Sequence, residues 1–130
     1  AAMEGVYNPS HWYREADNAV NKRFVADFQQ AFGRLPTLYA SQGFDAAMLI
    51  DAAVRQVGGA IEDKNALRQA LRTVTAPTTR GAYRFGNNHY PIQNYYLREV
   101  AKQADGSISN RFVSQVMEGH QDAYAQDCKM

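Results

Sequence analysis

The spacing of apolar residues changes near Gly81, and this change divides the chain into a helical part and a strand-forming part. Before Gly81, apolar side chains recur every three or four residues, which is the period of a helix with one buried face. After Gly81 they tend to alternate with polar ones, which is the period of a β-strand. We therefore predict an α/β fold in which three helices are followed by a strand and a β-hairpin.

Three helices are predicted before the change. The first begins behind Asp17 or Asn18 as its cap and ends at Gly33, which can adopt the left-handed conformation found after helices. The second covers residues 39–57, and the third starts behind Asp63. One face of the second helix is almost entirely apolar, so we expect this helix to be well buried. The residues of that face are Phe44, Ala47, Met48, Ile50, Ala53, Val54 and Val57.

The remaining elements are predicted to be strands. Segment 3–9 is a short strand closed by Asn-Pro, because the residue before a proline is held out of the helical region. Segments 92–103 and 108–119 form a hairpin with Asp105 and Gly106 at its tip. Aromatic rings are concentrated between residues 80 and 100. Because tyrosine and phenylalanine favour half-buried pleated surfaces, we interpret these rings as strand structure and the nearby arginines as strand-face and turn residues.

The charges and motifs favour a binding function over catalysis. The net charge of +1 gives no reason to expect nucleic-acid binding, which needs a basic groove. The three histidines lie in different segments without other ligands at metal-binding spacing, and no phosphate loop, nucleophile elbow or dinucleotide motif occurs. The carboxylates of Asp45 and Asp51 are interpreted as surface groups and not as an acid–base pair. We therefore expect no catalytic residue, no metal and no cofactor.

Four motifs follow one another along the chain. They are the breaker-rich strand "VYNPSHW", the end of an aromatic helix "FGRLP", the helix start "SQGFDAA" and the passage "RGAYRFGNNHYPIQ". This ordered set, with the closing "QDCKM", covers essentially the whole chain. It resembles the carboxyl-terminal third of a periplasmic solute-binding protein of the branched-chain amino-acid type, and it is especially similar to the members that serve aromatic acids.

Proteins of this family are clamshells of two α/β lobes, and their chain crosses the hinge between the lobes three times. The lobes close on a small ligand and deliver it to an ABC importer. The resemblance implies that residues 1–93 form a hinge strand and the helical part that completes the first lobe. Residues 94–130 would then form the crossover and the hairpin of the second lobe. It also implies a periplasmic protein whose partners are a membrane permease and a small solute, either an amino acid or a small aromatic carboxylate.

The resemblance further implies that the chain is a fragment of such a clamshell. A signal peptide would then lie upstream, and the rest of the same chain or self-association would cover the apolar helix faces. Cys128, the one cysteine, is either a free thiol or half of a disulfide whose partner lies outside this chain. Two other functions stay open: a ligand sensor built on the same clamshell, and an unrelated small α/β enzyme.

The resemblance also assigns five ligand-binding residues. Phe44 matches an aromatic position that faces the cleft in the branched-chain amino-acid binders, and a phenylalanine there implies a more apolar pocket than a tyrosine would. Gln42 and Gly43 flank it at the helix start. His11 and Trp12 follow the hinge strand and are expected to reach the mouth of the cleft, where Trp12 would offer a stacking face. The alternatives are that Phe44 is ordinary helix core and that Trp12 is a half-buried anchor.

Overall fold

The predicted fold class is confirmed by a computed structural model that describes residues 2–104 and 106–129. Three helices are followed by a short strand and a long hairpin, and an additional strand precedes the helices. The elements are β1 (Tyr7–Ser10), α1 (Ala19–Phe32), α2 (Leu38–Gln56), α3 (Lys64–Thr73), β2 (Arg84–Phe85), β3 (Pro91–Lys102) and β4 (Ile108–His120), with a short 3₁₀ turn at Ala125–Asp127. Within the described ranges, no helix is long and apolar enough to cross a membrane.

Helix boundaries follow the capping residues in the sequence. The side chain of Asn18 accepts a hydrogen bond from the backbone N–H of Asn21 at the start of α1, and Gly33 ends this helix with a φ of 63°. Thr37 caps α2, and the carboxylate of Asp63 accepts two backbone N–H groups at the start of α3. The predicted caps at Asn18, Gly33 and Asp63 are thus confirmed.

The buried face of α2 differs from the one predicted. Ile50 is 54% exposed and Ala47 is also exposed, so the prediction that they face a core is wrong. The fully buried residues of this helix are Ser41, Asp45 and Ala53, so the prediction is confirmed for Ala53. The prediction that Asp45 is a surface group is therefore wrong too. The reason is that a polar partner, described below, lies over the first turns of α2.

Strand β3 is the centre of the sheet. It pairs antiparallel with β4 along most of its length, which confirms the predicted hairpin, and its other edge pairs with β1 and β2. Gly106 has a φ of 84°, as a tight turn requires, whereas the Asp105 half of the predicted tip lies outside the described residues. Strand β1 begins later than predicted and continues through Pro9, which an edge strand tolerates because no partner needs its missing N–H.

The rings of the hairpin pack on one another. Tyr13 stacks on Phe112 of β4 with 4.5 Å between ring centroids, and it contacts Tyr96 of β3 edge-on at 4.7 Å. Such pairs add to the stability that burial of their area provides. This packing agrees with the interpretation of the aromatic residues as strand structure. The thiol of Cys128 is free among the described residues, so both of its alternatives stay open.

Candidate functional site

The structure brings together two of the predicted site residues, His11 and Gln42. His11 lies just after β1, Gln42 lies in the second turn of α2, and their Nε2 atoms are 3.2 Å apart. Because an amide nitrogen can only donate, this contact is a hydrogen bond in the tautomer that carries its proton on Nδ1 and leaves Nε2 as the acceptor. The ring of Tyr95 on β3 contacts the His11 ring edge-on, with centroids 6.1 Å apart. A polar pair therefore lies where the helical part meets the sheet.

The surroundings of His11 keep its ring neutral. Burial lowers the pKa of the imidazole below its ordinary value of 6.5, and the positive charges of Arg80 and Arg98 lower this pKa further. The negative charge of Asp45 opposes this effect but is a smaller contribution. A neutral ring is the form that can accept a hydrogen bond from Gln42.

This lowered pKa predicts a pH dependence of stability. In the unfolded chain the pKa of His11 is near its ordinary value of 6.5, whereas in the folded chain it is lower. At a pH between these two values, the unfolded state therefore binds more protons than the folded state. Stability should therefore fall as the pH falls through this window. We expect His11→Gln to reduce the loss of stability between about pH 7.5 and about pH 5.5 in urea titrations of the natural gene product. An equal loss in wild type and variant would contradict this prediction.

Phe44 lies on a different side of α2 from Gln42. Two residues along a helix correspond to a rotation of about 200°, so the two side chains diverge. The Phe44 ring is half-buried and packs on Phe24 of α1 with centroids 5.0 Å apart, and Phe24 also contacts Phe28. This contact favours the helix-core alternative for one side of the ring. A ligand contact through Phe44 stays a prediction.

Trp12 and Gly43 occupy opposite extremes of exposure. The Trp12 side chain is 4% exposed, and its indole N–H donates to Asn21 Oδ1 at 2.8 Å, so the ring is an anchor and offers no open stacking face. Gly43 is exposed, and a Cβ atom built on it would meet nothing within 4 Å. Trp12 is among the residues that border the groove described below, and a ligand role for it stays a prediction.

Removing the indole N–H should be costly. Asn21 is fully buried, and its amide nitrogen already donates to the carbonyls of Arg14 and Ala16. Trp12→Phe would leave the Oδ1 of Asn21 without its donor and remove part of a packed ring. We expect a loss of about 1 to 3 kcal/mol in the free energy of unfolding, measured by urea titration. Tyr124→Phe, at a position that is 75% exposed, is the matched control and should change little.

A buried ion pair lies beneath the start of α2, and sequence reasoning missed it. The carboxylate of Asp45, 0% exposed, accepts a hydrogen bond from the Nε of Arg80 at 2.8 Å and another from the backbone N–H of Thr79 at 2.7 Å. The Nη1 of Arg80 donates to the Oε1 of Gln93 on β3 at 2.8 Å. The interpretation of Arg80 as a turn or strand-face residue is incomplete, because its side chain is only 9% exposed.

The rest of the network leaves no polar group unsatisfied. The hydroxyls of Ser41 and Thr79 are 2.6 Å apart, and the guanidinium carbon of Arg80 lies 4.2 Å from the centre of the Tyr83 ring. Burial raises the pKa of Tyr83 above its ordinary value of 10.0, although Arg80 acts in the opposite direction. In the described part of the chain, every buried side-chain nitrogen and oxygen has a hydrogen-bond partner.

One signal for this network was present in the sequence. Asp45 precedes Met48 by three residues and Leu49 by four, so it shares the side of a helix with apolar positions. A carboxylate at such a position requires a buried donor or cation. The sequence alone does not say which arginine supplies it, because Arg80 follows Asp45 only after another helix and a turn.

A groove of about 570 Å³ separates the helical part from the hairpin. Residues 35–39, which cover the loop before α2 and the first residues of that helix, form one side, and residues 107–110 form the other. Arg98 of β3 borders the groove and donates to Asn8 Oδ1 and to the carbonyl of Trp12. Burial lowers the pKa of Arg98 from its ordinary value. Arg14 reaches across from the segment after β1 and donates to the hydroxyl of Ser109.

The groove and the strands beside it define the candidate binding site. Neighbouring antiparallel strands, β1 and β3, connect a helical part to a hairpin, and an open groove lies between the two parts. Among the described residues, no group of three or more histidine, cysteine or acidic side chains could hold a metal ion. The volume of the groove lies in the range of known small-molecule sites.

The family model described as "Periplasmic binding protein" matches residues 1–106, so the chain belongs to this family. The resemblance stated from the motifs is thereby confirmed. The family consists of binding proteins, in contrast to the alternative of an unrelated small enzyme. A search of curated proteins found no match.

Solved structures of solute-binding proteins share the fold. One, from an ABC transporter of R. palustris in complex with benzoate, is 32% identical with a TM-score of 0.85, over 99% of this chain and 34% of that one. Another, from Rhodopseudomonas palustris BisB5 with 3,4-dihydroxybenzoic acid, is 28% identical with a TM-score of 0.81, over 94% of this chain and 33% of that one.

A leucine-binding protein from Thermotoga maritima is 24% identical with a TM-score of 0.72, over 88% of this chain and 31% of that one, and it supports the fold alone. The present chain thus spans about a third of the length of these proteins. It corresponds to part of a clamshell in its extent as well as in its fold.

Proposed function

We propose that this chain is part of the extracytoplasmic, periplasmic solute-binding subunit of an ABC importer, and that its solute is a small aromatic carboxylate. The observation that carries the proposal is the 32% identity, over 99% of the chain, to a solute-binding protein that was crystallised with benzoate. An amino acid is the second candidate, and it has weaker support because the leucine-binding neighbour is only 24% identical. The proposed role requires a membrane permease as partner and no catalytic step.

The geometry supports a ligand at the groove. His11 precedes Trp12, which borders the groove, and Gln42 lies about one helical turn after the groove residues Leu38 and Tyr39. We propose that His11 and Gln42 supply polar contacts at one edge of the site, next to Gly43, where no side chain blocks approach. Residues 1–93 and 94–130 would belong to the first and second lobe respectively.

Exposed apolar side chains on the helices support the expectation that more protein covers them. Phe32 is 63% exposed, Tyr39 is 80% exposed and Ile50 is 54% exposed. Exposed apolar surface marks a protein contact where it is contiguous, as these positions would be if other protein covered both helices. We propose that the rest of the same chain, or self-association, covers these positions.

Ligand binding to the natural gene product tests the proposed function. Benzoate, 4-hydroxybenzoate and leucine would be titrated separately by calorimetry, and the melting temperature would be measured with each. A bound ligand stabilises the folded state in proportion to the logarithm of its concentration. We expect both benzoates to bind and to raise the melting temperature, while leucine has little effect. If only leucine binds, the solute is an amino acid and not an aromatic carboxylate. If none of the three binds, the proposed solute class loses its support.

Phe44→Ala tests the predicted apolar contact with the ligand. If Phe44 faces the ligand, its removal should weaken benzoate binding by about 1.5 to 3 kcal/mol, the transfer value of a buried aromatic side chain, with a smaller change in stability. If the ring is only helix core, stability should fall by about 3 to 5 kcal/mol while affinity is kept. Calorimetric titration and thermal melts of the same variant separate the two results. The second result would remove Phe44 from the site.

A further inference from the structure

Arg80 makes contacts in three directions from one nearly buried side chain. Its Nε contacts Asp45 of α2, its Nη1 contacts Gln93 of β3, and its planar group lies over the ring of Tyr83. A guanidinium can do this because its donors diverge in one plane while its faces stay free for stacking. The three contacts join the second turn of α2 to the first residues of the central strand.

The partner on β3 lies where the chain passes from the helical part to the hairpin. Gln93 is 7% exposed and is paired with His120 of β4, so both strands of the hairpin are close to this contact. The next residue, Asn94, accepts the backbone N–H of Gly119 from β4. Gln93 is also the last residue of the segment predicted to complete the first lobe. The Arg80 contact is therefore made at the junction of the two parts.

The partner on α2 belongs to the segment that carries the proposed ligand contacts. Ser41 and Asp45 are held by Thr79 and Arg80, and Gln42 and Phe44 lie between them on the helix. The direction of these two side chains therefore depends on where the network holds the helix. A helix start that could move relative to β3 would carry its ligand contacts with it.

We propose that Arg80 is a positioning residue for ligand binding, which fixes the start of α2 relative to the strand that leads into the second lobe. This inference rests on the proposed function. The Nε and Nη1 atoms of Arg80 are directed to Asp45 and Gln93, so the proposed role rests on contacts within the protein. Arg80 fixes α2 relative to the start of β3, from which the chain continues into the hairpin. The carboxylate of Asp45 balances the charge of Arg80, whereas the hydrogen bond to Gln93 links the Arg80 side chain to the sheet.

Two variants separate the positioning role from the ion pair. Arg80→Lys keeps a positive charge beside Asp45 but loses the planar fork that reaches Gln93 at the same time. Gln93→Met keeps the Asp45–Arg80 pair and removes only the acceptor on β3. Arg55→Lys is the matched control, because Arg55 forms an exposed pair with Asp51 on the same helix.

The first measurement is benzoate affinity in the natural gene product. We expect Arg80→Lys and Gln93→Met each to weaken binding by about 2- to 30-fold, the range found for residues that couple a site to the rest of a protein. In the double variant, benzoate affinity should fall by less than the product of the two single effects, because both substitutions remove the same contact between Arg80 and Gln93. Arg55→Lys should bind as wild type does. Unchanged affinity in both variants, or effects that multiply fully, would overturn the proposal.

The second measurement needs no ligand and therefore keeps the inference testable if the proposed solute is wrong. Spin labels at the exposed positions Gln56 and Gln115 report the distance between α2 and β4, after replacement of Cys128 by serine. We expect a broader distance distribution in Arg80→Lys and Gln93→Met than in wild type or Arg55→Lys. Identical distributions in all four proteins would overturn the positioning role. Failure of every benzoate to bind wild type would instead contradict the proposed function.

Discussion

Asp45→Ala should lower the free energy of unfolding by about 3 to 5 kcal/mol, because it leaves a buried arginine without its carboxylate. The side chain of Arg80 is 9% exposed and that of Asp45 is 0% exposed. The substitution also removes the acceptor of the Thr79 backbone N–H, which is buried in the same place. Urea titration of the natural gene product gives the change in midpoint and, with the slope, the change in free energy.

Asp51→Ala is the control for this experiment. Asp51 lies on the same helix and forms an ion pair with Arg55 at 2.8 Å, which is the same distance as between Asp45 and Arg80. Both partners of this control pair are exposed, and exposed pairs contribute little because water already solvates their charges. We expect no measurable change. Equal effects of the two substitutions would show that burial does not make the Asp45 pair important.

The contrast between these two aspartates shows which part of the fold the sequence could predict. Caps depend on a few adjacent residues, and the predicted ones at Asn18, Gly33 and Asp63 are all present. The hairpin depends on local alternation and a turn, and it is present as well. The burial of Asp45 depends on Arg80, which comes from a distant loop. No local pattern reports such a partner.

The buried face of α2 failed to follow its pattern for a related reason. Helical spacing identifies residues that share a side, but the side that is covered depends on neighbouring elements. In this structure the polar network covers the side with Ser41 and Asp45, and the side with Ala47 and Ile50 is exposed. Apolar spacing could therefore predict the helix, its approximate limits and the burial of Ala53, but not the burial of Ser41 and Asp45.

The candidate site was predicted in a similar, partial way. The motifs selected the start of α2 and the segment after β1, and the contact of His11 with Gln42 joins these two places. They did not show that the side chains of Gln42 and Phe44 lie on different sides of α2, because a resemblance assigns sequence positions and not the directions of side chains. The half-turn between these side chains follows from the helix itself. The cluster of phenylalanines beneath Phe44 is what decides how firmly that ring is held.

Phe24→Ala should cause a loss of stability as large as that of Asp45→Ala, about 3 to 5 kcal/mol. Phe24 is 4% exposed and lies between Phe28 and Phe44, with ring centroids 5.8 and 5.0 Å away. Its removal would leave a cavity beside the Phe44 ring, since neighbouring side chains collapse only partly into such a space. Thermal and urea unfolding of the natural gene product measure the loss.

Phe32→Ala is the matched control, because Phe32 is on the same helix but 63% exposed. We expect its effect on stability to be much smaller, although its ring also contacts Phe28. The same pair of variants bears on the ligand contact. If Phe24 holds the Phe44 ring toward the groove, Phe24→Ala should weaken benzoate binding as well as stability, whereas Phe32→Ala should change neither. A loss of stability without any loss of affinity would mean that the ring of Phe44 stabilises the contact between α1 and α2 and does not orient the ligand.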